Sequence, residues 1–218
     1  MNIFEEGSPF QQFLNKVADL LILNLITLLT CLPIITIGAS LTAMHYVLLK
    51  TVRGQEGYIV RSYFRSFKRN FVQATILWLI YLAVWILMVS NLYMIVQGTG
   101  RYPIWLPSSI LVAALLILVF MIYTFAMLSR FETTVFEALT NAVMLTISEL
   151  PRSFEMLIIT VVPIAAFFFA PILLPILILF GLSVPGYACA MVYDPVFRKI
   201  ERQIGEGEAE YPDDEEEE

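Results

Sequence analysis

Four long runs without a single Asp, Glu, Lys or Arg constrain this chain most. They cover Leu20 to Leu49, Asn70 to Gly100, Tyr102 to Ser129 and Met156 to Tyr193. A helix needs roughly 20 apolar residues to cross a hydrocarbon core about 30 Å thick. Each run is long enough, so the expected fold class is all-α, a polytopic bundle of transmembrane helices. Composition agrees: the 218 residues are 59% hydrophobic and 15% charged, against about 25% charged in soluble domains.

The net charge of -6 is uneven. Nine of the 19 acidic residues lie in the last 13 positions, EGEAEYPDDEEEE. Without those nine, ten acidic residues face 13 basic ones, so the body is mildly basic. The expected organisation is one membrane domain over residues 1–204 and a disordered acidic tail over 205–218, because dense like charges repel and nothing there can be buried. The first residues, MNIFEEGSPF, are acidic, unlike the basic start of a signal peptide.

Helix boundaries can be read from the breakers. Ser8-Pro9-Phe10-Gln11 reads as an N-cap, a first-turn proline and a capping-box glutamine. That helix runs to Leu32 and is stopped by Pro33. Gly38 and Ser40 then serve as a break and a new cap for a shorter helix from about Leu41 to Val52, and RGQEG (53–57) forms a turn. As one helix, the 38 residues of the last run would be about 57 Å long. With Pro163, Pro171, Pro175, Gly181, Pro185 and Gly186 in it, two crossings joined near Ala170–Pro175 fit better, with Asp194-Pro195 at the exit. Five crossings are favoured over six, the sixth being Ile34 to Leu49.

The stretch GYIVRSYFRSFKRNF (57–71) carries four positive charges and five aromatics. On a helix, Val60, Tyr63, Phe64, Phe67 and Phe71 fall within about 100° of one another. Arg61, Arg65, Lys68 and Arg69 occupy another sector. Basic and aromatic residues together suit nucleic acid, but a spanning run begins at Phe71. The expected partner is therefore the lipid bilayer, with no nucleic acid. The rings lie in the headgroup boundary and the cations face anionic lipid. A second polar stretch, 130–154, repeats Phe131, Val135, Ala138, Ala142 and Leu145 at helical spacing. Lys and Arg mark cytoplasmic loops. Six basic residues from Lys50 to Arg69, and Arg198, Lys199 and Arg202 after the last crossing, place those regions and the C-terminus inside. Arg101 alone marks the outer loop, and five crossings put the N-terminus outside.

Chemistry-bearing patterns are sparse. Cys31, Cys189 and the single His45 sit in apolar runs with no ligand spacing around them, and there is no phosphate-binding loop or nucleophile–base grouping. No metal, cofactor or catalytic residue is expected. Lys16 and Asp19, three apart, can pair, and Asn24, Gln73 and Asn91 are placed to bond between helices. The breaks Pro33–Gly38 and Pro175–Gly181 are the best transport signal, since discontinuous helices free backbone groups for a substrate.

The residues LPIITIGASLTAMHYVLLK (32–50), QEGY (55–58) and FRSFKRNFVQATILWL (64–79) resemble the YesL-type family of bacterial integral membrane proteins, grouped under a domain of unknown function. LPRSF (150–154) is consistent with it; the tail after about Ile204 is not part of it. The resemblance implies a Gram-positive cell membrane and an association with carbohydrate uptake. ABC sugar permeases and sensor kinases are the partners it suggests, and it supplies no catalytic residues. Glu137-Ala138 followed by Leu150-Pro151 also resembles an ABC permease coupling loop but lacks that loop's glycine. Three functions are thus expected in order: a non-enzymatic accessory of oligosaccharide uptake, a small permease, and a membrane-bound sensor or regulator.

Overall fold

The computed structural model describes residues 9–55, 57–97, 103 and 105–204. The expectations about Ser8, Arg101 and the acidic tail lie outside them. Eight α-helices follow in order: α1 (Pro9–Cys31), α2 (Ile37–Val52), α3 (Ile59–Gln97), α4 (Trp105–Arg130), α5 (Val135–Ser148), α6 (Leu150–Phe169), α7 (Leu174–Phe180) and α8 (Ser183–Ile204). Among the described residues there is no strand.

Proline and threonine punctuate the first half. Pro33 disfavours helical geometry at Leu32, so α1 ends at Cys31 and a 3-10 turn, Ile34–Thr36, follows. Thr36 closes this break: its hydroxyl donates to the Thr30 carbonyl (2.5 Å) and the Pro33 carbonyl (2.7 Å). The expected restart at Leu41 is corrected, because α2 begins at Ile37 and contains both Gly38 and Ser40. Ser40 is not a cap; its hydroxyl donates back to the Thr36 carbonyl at 2.9 Å. Gly38 serves helix packing instead. A Cβ there would sit 2.3 Å from the Ala74 carbonyl oxygen and 2.7 Å from the Trp78 Cβ, so its missing side chain lets α2 and α3 approach closely. The turn after α2 uses Gly54 at φ 71°, a conformation that favours glycine.

α3 is one unbroken helix of 39 residues, about 58 Å long. Residues 59–71 are therefore collinear with the spanning part rather than a separate surface helix. α5 starts with a capping box: Thr134 Oγ1 accepts from the Glu137 amide and Glu137 accepts from the Thr134 amide at 2.8 Å. Ala138 and Ala142 of α5 are fully buried.

The last apolar run turns at Ala170–Leu173, where expected. It breaks a second time at Gly181–Leu182, bending α7 against α8 by 52°. α8 continues unbroken through Asp194-Pro195 to Ile204. Val196 and Phe197 just beyond are buried, and their packing offsets the amide that Pro195 lacks.

Among the described residues five helices are long and apolar enough to cross a membrane, or six if the bent α7–α8 pair is one span. The segment Ile34–Val52 is among the five. α2 lies at the centre, with Ala39, Ala43 and Leu48 at zero exposure. The outward face of α3 carries Ile86, Leu87, Val89, Met94 and Val96, all more than half exposed. So large an apolar surface is suited to lipid or to another membrane protein.

Candidate functional site: an ion-pair cluster, a stapled helix break and a central cavity

Three helix ends meet in a buried charge cluster. Arg53 follows α2, Arg130 ends α4, and Asp194, Arg198 and Glu201 lie four and seven residues apart on α8. That spacing puts the three α8 groups on one face. Arg53 Nε donates to Asp194 Oδ1 at 2.7 Å, while its two terminal nitrogens each reach a Glu201 oxygen at 3.1 Å. Arg130 Nε donates to Glu201 Oε1 at 2.7 Å, and Arg198 Nε to Asp194 Oδ2 at 2.8 Å. The Arg53, Asp194, Glu201 and Arg130 side chains are all about one-tenth exposed or less. Burial opposes the charge on Arg53, but its bonds to Glu201 and Asp194 outweigh that and raise its pKa. Every carboxylate oxygen is engaged by a guanidinium, in the planar geometry that makes such pairs strong. The cluster thus clamps α2, α4 and α8 to one another.

In sequence Arg53 looks like a turn residue and Asp194 like an exit marker, and nothing local reveals the cluster they form. The signal is spread along the chain: two acids and an arginine at helical spacing, with basic residues at two apolar-helix ends.

Asn24 holds the second break. Its side-chain amide donates to the Ile178 carbonyl at 2.8 Å, and its oxygen accepts from the amides of Leu182 (2.9 Å) and Ser183 (3.0 Å). One fully buried side chain on α1 thus satisfies the backbone groups freed between α7 and α8. With Thr36 closing the first break, these named groups at Pro33 and Gly181 are already bonded within the chain. Of the other deep polar residues, Asn91 bonds back to Leu87 of its own helix at 2.7 Å and is exposed, as is Gln73. Among the described residues no ion pair joins Lys16 to Asp19.

The basic-aromatic stretch is divided. Tyr63 is fully buried, with its hydroxyl 2.5 Å from Thr30 Oγ1, so it is no headgroup anchor. Phe67 is half-buried and packs on the core. Phe64 and Phe71 are exposed, at 40% and 36%. The buried face is Ser62, Tyr63, Ser66 and Asn70, because small side chains let α3 pack closely. Arg61 and Lys68 are exposed and Arg65 is half-buried. Arg69 pairs with Glu132 just after α4. Helical periodicity alone could not separate the inward ring from the outward ones.

A cavity of about 590 Å³ lies between α1, α2, α3, α4, α6, α7 and α8, beside Gly181 and Pro163. Its polar lining consists of His45, Trp78, Thr160 and the thiols of Cys31 and Cys189, with no charged side chain. His45 Nδ1 is 3.0 Å from the Tyr193 hydroxyl. Pro33 and Pro175 do not line it. Among the described residues no group of His, Cys, Asp and Glu is placed to hold a metal ion.

The helices, their apolar outer faces and the buried charges at one end define a multi-pass helical membrane protein. Residues 20–92, from α1 to most of α3, match the family described as "Protein of unknown function, DUF624". That segment holds Asn24, Gly38, His45 and Arg53, and the match is compatible with the YesL-type resemblance. No curated protein and no solved structure matches the chain.

Proposed function

We propose that this protein is a non-enzymatic, multi-pass component of a bacterial cell membrane that acts by contact with other membrane proteins. The observation that carries this reading is the apolar character of the central cavity. A sugar needs hydrogen-bond partners for its hydroxyls, since an unpaired buried polar group costs about 1–3 kcal/mol. The cavity supplies few, and the backbone groups at the stapled break are taken by Asn24. The polar chemistry of an oligosaccharide path is therefore lacking along it, which favours an accessory over a carrier.

The association with carbohydrate uptake, the Gram-positive host and the ABC permease or sensor-kinase partners rest on the family resemblance. Arg53, Arg130, Arg198, Lys199 and Arg202 favour a cytoplasmic location for the cluster end and the C-terminal tail. Affinity purification from native membranes of sugar-induced cells tests the reading. Recovery of a sugar permease or sensor kinase supports it; recovery of the chain with neither counts against it. The bent α7–α8 pair beside the cavity favours the second reading, a small permease. Flux of sugar by the purified protein in proteoliposomes would establish that one instead.

A further inference from the structure

One exposed face of α8 changes character along its length. Val184, Met191, Pro195, Arg198, Lys199 and Arg202 fall within about 100° of one another at 3.6 residues per turn. Val184 and Met191 are 45% and 49% exposed, and Pro195, Lys199 and Arg202 are exposed after them. The apolar part, Val184 to Pro195, rises about 16 Å. Half of a hydrocarbon core is about 15 Å, so this part matches the depth of one leaflet. α8 belongs there as the longer arm of the bent α7–α8 pair. The cations follow within the next two turns, where the phosphates of a leaflet lie.

A surface cavity of about 420 Å³ sits against the cationic end, lined by Pro195, Arg198, Lys199, Arg202 and Gln203. Among the described residues no acid lines it. The two acids in the described part of α8, Asp194 and Glu201, are buried and spent on Arg53 and Arg130. Arg198 gives Nε to Asp194, yet its side chain stays 52% exposed. Among the described residues neither Lys199 nor Arg202 has an acidic partner. Three cations thus share one unneutralised concavity, in line with an apolar strip. Basic pockets at a membrane boundary recognise anionic headgroups.

We propose that this face of α8 binds one anionic diacyl phospholipid. Its phosphate is held by Arg198, Lys199 and Arg202, and an acyl chain lies along Met191 and Val184. The acidic segment 206–218 matches the cations in charge. Its only apolar residues are Ala209, Tyr211 and Pro212, so it offers the strip little, and the lipid fits both halves of the face.

The detergent-solubilised full chain is titrated with dioleoyl phosphatidylglycerol or dioleoyl phosphatidylcholine, which share their acyl chains. Native mass spectrometry counts the lipid retained. One phosphatidylglycerol should be held saturably, about tenfold more tightly than phosphatidylcholine. Lys199→Gln with Arg202→Gln leaves the Arg198–Asp194 pair in place and should abolish that preference. Thermal unfolding checks the fold, and either single substitution serves if the pair does not fold. Equal retention of both lipids, unchanged by the substitutions, means annular lipid only and overturns the site. Displacement of phosphatidylglycerol by glycerol 3-phosphate at equal concentration means a free-phosphate site and overturns the lipid assignment. A full-length variant with the acids of 206–218 replaced by their amides should keep the preference. A preference absent from the native chain and gained by that variant assigns the face to the acidic segment and overturns the proposal.

Discussion

At the scale of single residues, two side chains hold more than their positions suggest. Removing Arg53 leaves Asp194 and Glu201 buried with part of their counter-charge gone. Breaking a buried pair in this way costs about 3–5 kcal/mol. Arg53→Ala should therefore lower the unfolding temperature in detergent markedly. Arg53→Lys should recover little, because one ammonium cannot span both carboxylates as the guanidinium fork does. Asn24→Leu strands one carbonyl and two amides, each costing about 1–3 kcal/mol when unpaired. It should destabilise clearly, and Asn24→Asp should destabilise less, because a protonated carboxyl keeps the acceptor and can donate its O–H to the Ile178 carbonyl, whereas an ionised one has no donor. An unchanged melting curve for Asn24→Leu would remove the staple from the account. Neither role was legible in full. An asparagine at depth reads as an interhelical bond, but its partner lies more than 150 residues away. Arg53 sits in a turn sequence whose glycines draw the eye, and its partners lie 141 and 148 residues away.

At the scale of elements, α2 and α5 carry the clearest consequences. Gly38 brings α2 against α3, and its nearest neighbour is backbone, which cannot swing aside. Gly38→Ala should cost about 1–3 kcal/mol by overpacking, and Gly38→Leu more, read as loss of folded protein in detergent. The Glu137 carboxyl is held below its ordinary value of 4.5 by bonds from the Thr134 amide and side chain. A depressed carboxylate pKa stabilises above the ordinary value, and that stabilisation is lost as pH falls through the lower folded value. Amide exchange at residues 135–138 should accelerate as pH drops below 4.5 beyond the intrinsic trend, and Glu137→Gln should flatten that extra dependence. The apolar runs and the breakers Pro33, Ala170–Leu173 and Gly54 were legible because they act locally. Gly38 misled, because a glycine needed for close approach looks the same in sequence as a breaker. Tyr63 misled for a related reason: periodicity gives a face, but a neighbouring helix decides which part of it is covered.

At the scale of the whole molecule, the charge-free runs alone decide the class, and packing decides how many runs become spans. With α2 counted and α7–α8 as one bent span, six crossings return the chain to its starting side. Thiol labelling of Asn2→Cys and of a cysteine placed at Glu218 in a cysteine-free background should then show both ends inaccessible from outside intact cells. External labelling at Asn2 alone would support five crossings. The central claim concerns what passes through this bundle. It holds that the apolar cavity and the self-satisfied helix breaks leave no path for a sugar, so that the chain works through its neighbours. The most direct measurement is uptake of radiolabelled mono- and oligosaccharides by proteoliposomes containing only the purified protein. The account predicts uptake equal to that of protein-free liposomes; saturable uptake by the protein alone, abolished by the cavity-filling Leu118→Phe in a folded variant, would contradict it.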